Sequence, residues 1–245
     1  MDQIILWKPL YYTSIVIYVI AILMIIKGSI MGVITLFFLI ALWSRIPCMI
    51  STITKDLEVV DFFTVFLALQ IGGVYGGLFA LSVMLVSKIF GPEEWFPYTL
   101  KDGVSMLIAG IITPGVYFIT GHNLLYTLYA FTIIRYVFYL VLTFLFEREA
   151  MGLEMFICLT SVPVAYVSNT ILGKFVGPKL SLIFESGMVM DWGIFMFCTA
   201  VILGVFGFSK LINWLEVSGR LKYGKEEVKE VKEEMYYKLP LTNNF

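Results

Sequence analysis

Apolar residues run along this chain in long blocks, and the short polar interruptions between them set the expected elements. The first block is Leu10–Ile26, closed by Lys27-Gly28, and the second is Ser29–Ser44, ended by Arg45-Ile46-Pro47. A polar linker, Ser51–Glu58, then leads into a pair of runs, Val59–Ile71 and Val74–Phe90, hinged on Gly72, Gly73, Gly76 and Gly77. A Gly-Pro-Glu-Glu-Trp loop precedes Gly103–Thr120, in which Pro114 predicts a kink. Gly121-His122-Asn123 reads as a tight turn into Leu124–Phe146, the longest block, and Glu147-Arg148-Glu149 marks its aqueous end. Glu154–Leu172 and Trp192–Leu215 complete the series, separated by Gly173–Asp191, which reads as an irregular loop. A membrane-crossing helix needs about 20 predominantly apolar residues. The pattern therefore predicts an all-α fold, a polytopic transmembrane helix bundle of seven or eight segments. Val59–Ile71 falls short of a full span, so that segment is expected to be tilted, surrounded by protein, or re-entrant.

Composition strengthens the membrane assignment. Hydrophobic residues make up 60% of the chain and charged residues 14%, against about 45–50% and about 25% in soluble domains. The formal net charge of −1 argues against nucleic acid as a partner, since phosphate neutralisation needs clustered Lys and Arg. Cys48, Cys158 and Cys198 are widely spaced and only one histidine is present, so neither a disulfide framework nor a zinc site is expected, and no cofactor is implied. The N-terminus lacks the basic region and cleavage site of a signal peptide, so the first block is expected to remain as a span. With eight crossings, Lys8, Arg45, Lys55, Lys88, Lys101 and Arg148 fall on one side and Lys27, Lys174 and Lys179 on the other. That bias predicts a cell-membrane, multi-pass protein with both termini cytoplasmic. The bundle is expected over residues 1–215. A charged tail over 216–245 follows, with Val228, Val231, Met235 and Leu239 at helical spacing. It reads as a solvated cytoplasmic tail or as a docking helix for a cytoplasmic partner.

No catalytic signature is present, and the expectation is a protein that is not an enzyme. An intramembrane enzyme would need acidic residues converging in the bundle, and Asp61, Asp102, Glu154 and Asp191 are the ones available. Arg135 is the informative residue. It sits at the centre of Leu124–Phe146, where an arginine costs about 2.5–3.5 kcal/mol to insert, and such a charge faces the bundle interior with a partner. Two readings stand side by side: an ion pair that locks helices together, or a guanidinium fork that receives the anionic group of a ligand. On the second reading the candidate ligand contacts are Arg135, Tyr75, Asn169 and Asn123, with Tyr75, Trp95 and Tyr98 as a lid. Gln70 and Asn169 also suit interhelical hydrogen bonds. His122 reads as a polar turn residue.

The overlapping pairs Gly72/Gly76 and Gly73/Gly77 let helices approach closely, either within the bundle or against another membrane subunit. Asp61, this Gly-Gly-x-x-Gly-Gly turn, the small residues of Gly77–Ser87, Gly91-Pro92 and the Gly103–Gly110 segment with Pro114 form a stretch of about a quarter of the chain. It resembles the substrate-binding S components of energy-coupling-factor vitamin transporters and, more loosely, MreD-like membrane proteins. The resemblance implies a compact bundle with a small-molecule cavity and no ATPase of its own. The alanine-spaced docking motif of many S components is missing from the first span. Two functional expectations follow. One is a membrane subunit that binds or helps transport a small, anionic molecule. The other is a non-catalytic structural or assembly subunit of a membrane complex, its partners being the bilayer and other membrane subunits.

Overall fold

A computed structural model describes residues 7–45, 59–90 and 96–185, with side chains over 10–45, 59–87 and 98–181. These residues belong to the first of two compact units, Met1–Ile202; the second is Leu203–Phe245. That division falls earlier than the compositional break at Leu215, and both the Trp192–Leu215 segment and the charged tail lie outside the described residues.

Among the described residues the chain is all-α: α1 (Trp7–Ile26), α2 (Ile30–Ser44), α3 (Val60–Gln70), α4 (Gly73–Phe90), α5 (Phe96–Ile119), α6 (Leu124–Phe146), a 3₁₀ turn (Arg148–Ala150), α7 (Met151–Phe175) and α8 (Gly177–Glu185). Three of them are long and apolar enough to cross a bilayer: Tyr98–Ile119, Leu124–Phe146 and Arg148–Phe175. Leu10–Ile26, Ile30–Ser44, Val60–Gln70 and Gly73–Ser87 are apolar but shorter. The stretch after Gly173, expected to be irregular, is corrected by the structure. Helix α7 continues to Phe175, and α8 follows at Gly177 with Ser181 bonding back to the Gly177 carbonyl.

Helix α3 organises the rest. Its sequence, VDFFTVFLALQ, is apolar on nearly every side, and each residue from Val60 to Ala68 is buried. A helix apolar all round must be enclosed, and α3 touches α2, α4, α5, α6 and α7. Phe63 stacks on Phe37 of α2 at 4.4 Å between ring centroids. With 11 residues it is about 16 Å long, roughly half the hydrocarbon thickness. The short segment is thus one that protein surrounds.

The turn after α3 depends on Gly72, whose φ of +130° no side chain adopts comfortably. Beyond it the glycines divide their work. A methyl added at Gly76 would lie 2.5 Å from the Thr64 carbonyl oxygen on α3, while one at Gly77 would lie 2.6 Å from that of Leu107 on α5. Gly73 faces the carbonyl of Ile111 just as closely, and Gly110 answers from α5, where a methyl would meet Gly77 Cα at 2.7 Å. Gly73, Gly76 and Gly77 therefore serve close contacts inside the bundle. Pro114 is accommodated within α5 without ending it.

Candidate functional site

The site grows out of the middle of α6. Arg135 is the one charged residue in a helix otherwise built from apolar and aromatic residues and three threonines, and it is only 2% exposed. Its Nη1 donates to Asp61 Oδ1 at 2.6 Å, while Nε and Nη2 make a two-pronged contact with the Asp102 carboxylate at 3.1 and 3.0 Å. Both aspartates are 3% exposed. This fork-on-fork geometry is the one a guanidinium makes best. Asp61 lies in the first turn of α3, where a negative charge also complements the helix dipole. One side chain thereby ties α6 to both α3 and α5.

Hydroxyl and amide groups extend the cluster on one side. Thr132 Oγ1 stands 3.4 Å from Asp61 Oδ2 and 3.1 Å from the Leu128 carbonyl, and accepts from Asn169 Nδ2 of α7 at 3.0 Å. Asn169 is 1% exposed, and its Oδ1 has no hydrogen-bond partner among the described residues. Towards the end of α6 a second set appears. Tyr139 donates to Glu154 Oε2 of α7 at 2.9 Å, and Lys101 of α5 pairs with Glu147 at 2.9 Å. The Lys101 ammonium also lies 4.3 Å from the centre of the Tyr98 ring, a cation–π contact. Between the two sets is a small cavity whose walls include Asp102, Arg135, Tyr139, Glu154, Cys158 and Ser161. Its volume is about 10 Å³, room for a single water.

The structure brings Arg135 and Asn169 into one network through Thr132 and Asp61. It places the other two candidate ligand contacts elsewhere. Asn123 caps α6, its side chain accepting from the N–H groups of Leu125 and Tyr126. Tyr75 lies on the outside of α4, 62% exposed. Tyr98 sits against Lys101, and Trp95 lies outside the described residues. His122 takes a positive φ of 61° in the α5–α6 turn, with its ring edge-on to Tyr117. Cys158 is a buried cysteine on the cavity wall. Of the four acidic residues available for such convergence, Asp61 and Asp102 meet on Arg135, Glu154 shares the cavity, and Asp191 is outside the described residues. By position in the sequence alone, Asp61 and Asp102 are ordinary segment-end carboxylates. The signal was available: a mid-span arginine demands anionic partners, and Asp61 is embedded in Val59-Val60 and Phe62-Phe63.

What fold and site define is a class. An all-α chain with three helices of membrane-crossing length and an ion-paired core is a multi-pass membrane protein whose apolar surface meets the bilayer. Comparison with protein-family models, with curated proteins and with solved structures returns no match.

Proposed function

We propose that the chain is a non-catalytic structural or assembly subunit of a membrane complex, in which the Arg135 cluster locks the helices together. The observation that carries this reading is the engagement of the guanidinium: each of its three nitrogens donates to Asp61 or Asp102 in a site 2% exposed. An anionic ligand seeking Arg135 would first have to displace one of these carboxylates. Residence in the cell membrane with cytoplasmic termini follows from the distribution of Lys and Arg, and a seven- or eight-segment bundle from the apolar blocks. The glycines around Gly72 to Gly77 are used internally, so contact with other subunits falls to other surfaces.

The test compares Arg135→Met alone with Arg135→Met combined with Asp61→Asn and Asp102→Asn. Removing one partner of a buried ion pair costs about 3–5 kcal/mol, whereas removing all partners together is far milder. The single variant is expected to lose its cooperative thermal transition in detergent, and the triple variant to recover it. A single variant that folds like the parent but loses saturable binding of a small anion would overturn this reading.

A second reading, ligand binding or transport in the manner of S components, is favoured by the small cavity whose walls include Asp102, Arg135, Tyr139, Glu154 and Ser161 beside Ile157 and Cys158. Its size suits a water or a similarly small polar guest rather than a vitamin-sized anion.

A further inference from the structure

We infer that the turn between α3 and α4 faces a water-filled vestibule, which enters the bundle from the end where α5 and α6 are joined. This rests on α5 and α6 crossing the membrane. The depth of the turn is set by its contacts. Gly73, the first residue of α4, lies against the carbonyls of Gly110 and Ile111, so close that an added methyl would meet them at 2.9 and 2.6 Å. Helix α5 continues past that point to Ile119, about 12 Å of further helix. Half the hydrocarbon thickness is only about 15 Å, so Ile71-Gly72 sits near mid-membrane.

Three sources of unsatisfied backbone coincide at this depth. The last carbonyls of α3 and the first N–H groups of α4 lack intrahelical partners, as at any helix ends. The turn recovers only some of them: Ile71 and Gly72 donate back to the Leu67 carbonyl, and Tyr75 and Gly76 to that of Gly72. Pro114 adds the third source, because it offers no N–H to the Gly110 carbonyl one turn earlier. Among the described residues nothing seals the flank of the turn. Tyr75 is 62% exposed, Val74 53% and Ile111 46%, Gln70 is exposed, and open space surrounds Gly115. In hydrocarbon every backbone polar group must be satisfied, so irregular backbone occurs at depth only where protein or water covers it. With the flank open, the cover is water. Gln70 and the Tyr75 hydroxyl, awkward against lipid, then have a solvent.

Accessibility of introduced cysteines tests this in proteoliposomes holding the full chain with Cys48, Cys158 and Cys198 replaced by alanine. Gln70→Cys and Tyr75→Cys would be exposed to a charged, membrane-impermeant thiol reagent. His122→Cys in the α5–α6 turn reports the aqueous side, and Ile133→Cys and Val137→Cys, both more than half exposed on α6, report the lipid side. Labelling of Gln70→Cys and Tyr75→Cys is expected from the same side as His122→Cys, at least about tenfold faster than at Ile133 or Val137. Labelling at position 122 with silence at 70 and 75 would overturn the vestibule, because lipid or another protein then covers the turn. Equal labelling at 133 and 137 would instead overturn the placement of α6 in the membrane.

Discussion

Where α4 meets α3 and α5, the contact is bare backbone; where α6 meets α3, α5 and α7, it is charge and hydroxyl. The two seams share α3 and α5 yet respond to opposite insults. Lipid tails are as apolar as leucine, so burying apolar side chains brings helices no closer in a membrane, and closeness or polarity has to do it instead. The α4 seam uses closeness: Gly73, Gly76, Gly77 and Gly110 leave no room even for a methyl group. The α6 seam uses polarity, with Arg135 gripping Asp61 and Asp102 and Thr132 linking to Asn169. Added volume should break the first, and lost charge the second.

The largest effect expected is at Arg135. Arg135→Met leaves two buried carboxylates uncompensated and should cost about 3–5 kcal/mol. Neutralising Asp61 and Asp102 at the same time should return most of it, measured as unfolding free energy in a mixed-detergent titration. Next comes Gly76→Val, which drives a side chain into the Thr64 carbonyl and the Ala68 backbone. Overpacking of this kind costs about 1–3 kcal/mol. Full stability in that variant would mean that α3 and α4 separate easily and that the glycine seam is not a lock. Asn123→Ala touches neither seam and removes only the N-cap of α6. It should cost about 1 kcal/mol and leave the cooperativity of unfolding unchanged, a gauge for the other two. Smallest is Gly115→Ala, within α5 but with nothing inside 4 Å of the new methyl. Gaining helix propensity without a clash, it should be neutral or stabilising by up to about 1 kcal/mol. A loss there would show that something outside the described helices covers this face.

Much of this was legible in the order of residues, because a membrane helix writes its limits in apolar length. Leu124–Phe146 was delimited to the residue, and Leu10–Ile26 and Ser29–Ser44 nearly so. Arg135 declared itself as a buried charge, since no other account of an arginine there is affordable. Its partners were harder to see. Asp61 stands in the first turn of α3, a position that in water means an exposed cap, and Asp102 is the seventh residue of α5, just ahead of its apolar run; only the enclosure of α3 turns Asp61 inward. That enclosure had its own trace in the apolarity of Val60–Ala68, interrupted only by Asp61 and Thr64, which leaves no face for solvent. The glycine spacing announced close contact but not which helix answers, because Gly73 and Gly77 point to α5 while Gly76 points to α3. Side-chain direction around a helix is fixed by its neighbours, and short segments do not choose theirs alone. The helix over Gly177–Glu185 was missed because its proline, glycine and lysine residues mimic a loop; Pro178 lies in its first turn, where a missing N–H costs nothing.

Chain order gives the Arg135 cluster a temporal side. Asp61 and Asp102 leave the ribosome before Arg135 does, so for a time the growing protein holds two acidic groups destined for the interior without the arginine that later grips both. Helices α3 and α5 cannot settle into their final places until α6 is delivered. The arginine thus acts as a late clasp during biosynthesis, coupling the settling of α3 and α5 to the arrival of α6.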